Sequence, residues 1–289
     1  MSVATLARKD VRDASRSRTV WALTAVFTAF ALLGVSLLAV VGAGGATALQ
    51  AVGALTLPSV LLVPLAAIVV GYVAVVGESR DGSLKLLLGF PVSRAAVLAG
   101  KLLGRTAVVA GSIAVAFAVA GVLGVALYGG FSAVRYAAFT LATVGLGVAF
   151  VGFAVGVSAA VDTRGKALAA AAGAYFLLVL FWQPLVAGIY YVAAGDLPGA
   201  TVPSWYLFLE RLSPTMAYQV LVEATLGVGA SASIFSLRPP GAATAPLAEQ
   251  LGTDAVPAFL SPPVAVVVLG LWTVVPTLLG YLRFRRRDL

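Results

Sequence analysis

The sequence has no cysteine, no histidine and only two methionines, and 10% of its 289 residues carry charge. Without cysteine there is no disulfide framework and no thiolate chemistry. Without histidine the chain lacks the usual haem ligand, the commonest zinc ligand and the side chain that ordinarily titrates near neutral pH. Respiratory cytochromes and zinc-dependent intramembrane proteases are therefore excluded. A soluble domain of this size carries about 25% charged residues. Apolar residues fill the difference, at 61% of the chain with a mean hydropathy of +1.04.

The apolar residues are organised into six stretches: 19–41, 55–76, 106–128, 136–161, 167–194 and 264–282. Each holds at least 19 residues and no acidic or basic one. About 20 helical residues cross a hydrocarbon core of roughly 30 Å. The expected fold is thus an all-α integral membrane protein with six transmembrane helices, read as one domain over residues 1–289. The first stretch, at 23 residues, exceeds the apolar core of a signal peptide and reads as an uncleaved span.

The net charge of +8 has a topological origin. Sixteen of the 19 cations fall before the first stretch, in the seams 77–105 and 162–166, and in the tail. Three, Arg135, Arg211 and Arg238, lie in the alternate segments. The positive-inside rule puts the sixteen in the cytoplasm, with both termini there and the chain in the cell membrane. The same distribution argues against nucleic-acid binding.

Residues 1–18 alternate apolar and charged positions, as in a short helix on the inner face with its cations near anionic lipid headgroups. A disordered basic tail is the alternative. Pro58 and Pro64 bend the second stretch, making a hinge, a cavity wall or simply a kink. The external segment 195–263 holds an aromatic cluster at 205–209. It also holds a helix starting with Ser213 as N-cap and Pro214 in the first turn, and ending near Gly227. That helix is too short to cross and is expected on, or dipping into, the outer leaflet. Residues 231–261 read as loop. Gly152 and Gly156 form a GxxxG motif, a weak signal for a dimer face in so glycine-rich a chain.

The seam at 77–101 carries the most specific pattern. Gly82-Ser83 makes a turn and cap for a short apolar helix at 84–88, which Gly89 closes. Pro91 breaks the chain and Ser93 caps the next helix. A cytoplasmic helix presenting Leu84, Leu87, Leu88 and Phe90 needs the membrane surface or a partner.

This seam, with Glu78, Asp81, Gly82, Ser83, Leu84, Leu87, Leu88, Pro91, Ser93, Arg94, Gly100 and Lys101, resembles the segment between spans two and three of ABC-2 type permeases, the membrane subunits of type V ABC exporters. The basic amino-terminal helix, the six spans and the external Leu212-Ser213-Pro214 element fit the same family. Within it, the compact form is similar to permeases of the nitrous oxide reductase maturation type and equally to other prokaryotic exporters. The resemblance implies a coupling helix that docks on an ATPase subunit through Asp81, Gly82, Leu84, Leu87, Leu88 and Phe90, with Glu78 and Arg94 at the seam's ends pairing either with the ATPase surface or with lipid headgroups. It also implies an external gate at Ser213, Pro214 and Tyr218, and a pair of permeases with two ATPases. Gly100-Lys101 is followed by Leu102-Leu103 rather than Ser or Thr, so no phosphate-cradling loop is present. ATP and Mg are then expected in the partner ATPase, and no cofactor or metal in this chain. An ion-coupled secondary transporter and a non-transporting assembly subunit are the rival readings. All 11 acidic residues lie outside the six stretches, which argues against the first.

Overall fold

The computed structural model describes residues 2–41, 47–77, 93–227 and 235–286. Among these residues all regular structure is helical. Helix α1 (Val3–Ser15) starts at Ser2, whose hydroxyl accepts the Thr5 N–H. Its buried face is Leu6, Asp10 and Ala14. Span one is α2 (Arg18–Val41), and span two is α3 (Ala48–Gly53) followed by α4 (Thr56–Gly71). Spans three and four are α5 (Arg94–Tyr128) and α6 (Ala133–Ala160). Span five joins α7 (Arg164–Tyr175), a π-helical segment (Phe176–Phe181) and α8 (Trp182–Ala194). Between spans five and six in the chain come α9 (Ser204–Arg211), α10 (Pro214–Leu226) and the short α11 (Leu247–Leu251). Span six is α12 (Pro262–Arg285). Each of the six spans is long and apolar enough to cross a membrane.

Two spans begin earlier than hydropathy alone suggests. Span two starts at Ala48 because Thr47 and Gln50 form a capping box, each side chain meeting the other's backbone N–H. Span three starts at Arg94, where Ser93 accepts the Ala96 N–H. Its 35 residues make a rod about 52 Å long. That exceeds the bilayer core, so about three turns extend past the membrane at the Arg94 end.

Spans two, three and four form the packed centre, with half or more of their apolar windows buried; spans one, five and six lean on them with less than a quarter buried. Glycine sets the closest approach, between spans four and six. A Cβ at Gly152 would stand 2.6 Å from the Thr273 carbonyl oxygen, and one at Gly156 would overlap the Pro276 carbonyl. Thr277 closes the seam by donating to the Gly152 carbonyl at 3.0 Å. The GxxxG motif is therefore occupied within the chain. In span five, Pro184 has no N–H to offer, and the helix widens just before it into the π turn.

Both termini belong to one face. Leu6 of α1 packs on Gly100 near the start of span three. Arg94, one residue after the N-cap of that span, donates to the carbonyls of Phe284 and Arg285 at the end of span six.

Candidate functional site

Of the residues expected to meet an ATPase, Glu78, Asp81, Gly82, Leu84, Leu87, Leu88 and Phe90 lie outside the described residues. Arg94 lies within them. The structure does reveal how the two ends of the seam are held. At its entry the N–H groups of Val75 and Val76 both donate to Ser158 Oγ of span four, at 3.0 and 3.1 Å. One fully buried hydroxyl thus caps the frayed end of span two. Nearby, Gly71 meets span four so closely that a Cβ would come within 2.7 Å of the Ala154 Cβ.

At the exit, Arg94 crosses to span six. Its guanidinium donates at 2.6 Å to Phe284 O and sits 5.5 Å from the centroid of the Phe284 ring. A cation at a helix C-terminus satisfies carbonyls that have no partner in the helix and meets the negative end of its dipole. Two turns further along span three, Asp10 of α1 bonds Lys101 Nζ at 2.8 Å, with its other oxygen 2.9 Å from Arg105 Nε. Asp10 is 3% exposed, and Gly104 lies against its carboxylate. Gly100 and Gly104 form the notch that admits α1. The seam therefore runs from a residue pair bonded to span four to a residue bonded to span six, and into a helix bonded to α1.

On the opposite face α9 and α10 form a hairpin that dips between the spans. Ser213 at its tip caps Met216, and Pro214 follows as N1, as local chemistry predicts. Tyr218 is fully buried and shares a 3.2 Å hydrogen bond with Thr143. Thr143 lies ten residues into span four, about 15 Å along its axis from the Ala133 end. Trp272, equally deep in span six, donates its indole N–H to Leu212 O at 2.8 Å. Trp182 of span five donates to the carbonyls of Leu209 and Glu210. These half-buried indoles cap carbonyls at the end of α9. Thr215 donates to Leu178 O in the π turn of span five, at 3.1 Å. Gln183 abuts the hairpin through the Met216 thioether. The aromatic cluster at 205–209 is thus the descending arm of the hairpin, with Tyr206 and Leu207 buried.

Above the hairpin, Arg238 is 5% exposed and fully engaged. It donates to Gln250 Oε1 at 2.7 Å and to the carbonyls of Gly199 and Ala200. Arg238 and Gln250, with Glu210, Arg211, Gln219 and Glu223, line a cavity of about 50 Å³, room for a few waters. Glu210 accepts from Tyr206 Oη, and burial pushes its carboxyl above the ordinary range, against the opposing pull of Arg238. The sequence gives no local sign of this cluster, because its members are scattered from 199 to 250. Residues 235–260 are not plain loop: α11 and a 3-10 turn at Ala258–Leu260 close over the hairpin.

Among the described residues no group of three or more acidic, His or Cys side chains is placed to hold a metal.

Residues 4–289 match the family described as ABC-2 family transporter protein. Two curated relatives are similar over nearly their whole length, each described as "Probable ABC transporter permease protein NosY". The one from Stutzerimonas stutzeri is 30% identical over 294 residues, covering 98% of this chain and 97% of the relative. The one from Pseudomonas aeruginosa is also 30% identical over 294 residues, covering 99% and 98%.

Proposed function

The chain belongs to the ABC-2 transporter family and is a multi-pass permease subunit; we propose that it serves an ATP-driven exporter as half of a permease pair, with both termini cytoplasmic. A separate ATPase subunit binds ATP and Mg and hydrolyses the nucleotide. The segment 84–90 docks on that ATPase through Leu84, Leu87, Leu88 and Phe90, with Gly82 as its entry turn. Glu78 and Asp81 lie on the span-two side of the contact.

One observation carries this reading: both ends of the seam are clamped to the bundle. Ser158 ties its entry to span four, and Arg94 ties its exit to span six. A displacement that reaches Val75 and Val76 on one side or Arg94 on the other passes into spans two, three, four and six. Packed cores switch between discrete arrangements rather than bend continuously. The hairpin of α9 and α10, bonded to spans four, five and six, lies where those motions arrive, and Ser213, Pro214 and Tyr218 form its moving tip in this reading. Six spans supply half of a pathway, and a second permease supplies the other half.

The test is Leu87→Asp in the permease–ATPase complex reconstituted in liposomes. The expected result is an inserted permease that co-purifies weakly with its ATPase and shows no transport-coupled ATP hydrolysis. Unchanged coupling would remove 84–90 as the docking element.

A further inference from the structure

The clamp that holds α1 across span three leaves a groove beside it. Asp10 takes Lys101 and Arg105, and Leu6 fills the notch at Gly100, so one face of α1 is fixed. Val11 and Ser15 lie about a quarter-turn or more around the helix from Asp10. With Trp21 of span one and Ala107, Gly111 and Val115 of span three they bound a groove of about 230 Å³. This is several times the volume of the polar cavity on the other face.

The groove is apolar and stays open. A Cβ placed on Gly111 meets no atom within 4 Å, and Trp21 and Val115 are 66% and 52% exposed. Its three hydroxyls are already engaged: Thr24 Oγ1 donates to Ser112 Oγ at 2.8 Å, and Ser15 Oγ donates to Arg12 O at 2.9 Å. Nothing in the wall asks for water or a sugar. The Trp21 indole donates to Ser15 O at 2.9 Å, which spans the bend from α1 to span one and sets the ring at headgroup depth.

The rim is positive on the same side. Arg8, Arg12 and Arg18 precede Val11, Ser15 and Trp21 by three residues each, the spacing that stacks side chains on one helical face. All three are exposed, and the described acidic residues form no ion pair with them. Asp13 falls on the other flank of α1, beyond Asp10. The groove thus joins an apolar slot to an unopposed cationic rim at the interface.

We propose that this groove is a specific site for one anionic glycerophospholipid of the leaflet on the α1 side. An acyl chain lies along Gly111 and Val115, and the phosphate sits under Arg8, Arg12 and Arg18. The bound lipid fills the gap between α1, span one and span three, and so stiffens the joint next to the coupling seam. The site is independent of transport direction and of the ATPase.

The test uses the full chain in detergent micelles supplied with equal amounts of phosphatidylglycerol and phosphatidylcholine, read by native mass spectrometry. One phosphatidylglycerol is expected to be retained at least about tenfold over phosphatidylcholine. Gly111→Leu and Ala107→Phe, which fill open space, should each abolish that adduct. The triple change Arg8→Gln, Arg12→Gln and Arg18→Gln should bring the two lipids to parity. In parallel, phosphatidylglycerol brominated in its acyl chain should quench the fluorescence that is lost in Trp21→Phe. That measurement leaves the groove of the wild-type chain unfilled and uses only the conservative Trp21→Phe change to assign the signal. Equal retention of the two lipids, retention by both filled variants, or no quenching of Trp21 would overturn the site.

Discussion

Gly156 and Gly280 face each other across spans four and six with no room for a methyl group on either. A Cβ on Gly156 would overlap the Pro276 carbonyl, and one on Gly280 would overlap the Gly156 carbonyl. Both obstacles are backbone, which cannot rotate away as a side chain can. Gly280→Ala should therefore lower thermal stability in detergent by several degrees or prevent folding, at about 1–3 kcal/mol for overpacking. Gly173→Ala, in open space on span five, should leave stability unchanged or raise it. If the two variants behave alike, the close approach of spans four and six is wrong. Glu210 allows a second residue-level test. Its carboxyl is raised by burial above the ordinary 4.5. For an acid shifted this way, the folded state binds the proton more tightly than the unfolded state. The stability it lends is whole below 4.5 and is lost as pH rises through the folded value. Thermal unfolding should then show a decline with rising pH that Glu210→Gln flattens. An unaltered pH slope in that variant would mean the buried carboxyl is not the group responsible.

Among the elements, α1 is the one whose attachment is most readily cut. Asp10 is an ionic hold on span three that serves two cations. Removing one partner of a buried ionic cluster costs about 3–5 kcal/mol, because the remaining charges stay desolvated. Asp10→Ala should release α1 and accelerate trypsin cleavage at Lys9 and Arg12 while the six spans remain resistant. Cleavage at the wild-type rate would show that Leu6 and Ala14 alone hold the helix. This clamp also marks the limit of what the sequence reveals. Span positions were legible because hydropathy is a local property, and Ser93, Ser213 and Pro214 were legible because caps act within three residues. The capping box of Thr47 and Gln50 was equally local and would have placed the start of span two at Ala48. The pairing of Asp10 with Lys101 and Arg105, about 90 residues away, has no local signature. The same holds for Arg238 with Gly199 and Gln250, and for Thr215 with Leu178 in the π turn. The depth of the hairpin was only half legible. Its helix is visibly too short to cross, but the indoles that cap α9 come from spans five and six.

For the whole molecule, six crossings and the bonds joining α1, span three and span six put both termini on one face. On the proposed topology that face is cytoplasmic, as the positive-inside rule expects for the segments that carry most of the cations. In this cysteine-free chain, Gly165→Cys should resist an impermeant maleimide in intact cells and Asp254→Cys should label; the reverse pattern would invert the topology. Whether the hairpin is a gate or a fixed cover is then a question about motion in the proposed permease pair. Tyr218 is unsuited to carry a probe, because it is fully buried against Thr143. Ala224 is exposed near the outer end of α10 and suits a spin label without disturbing the core. A gate driven from the clamped seam should change the distance between labels on the two permeases when ATP is trapped, because α10 is bonded to the same span four that Ser158 ties to the seam entry. The change should vanish with Leu87→Asp. A fixed distance at Ala224, with movement still detected at Gly165, would make the hairpin a static cover and move the gate to the π turn and Gln183 in span five.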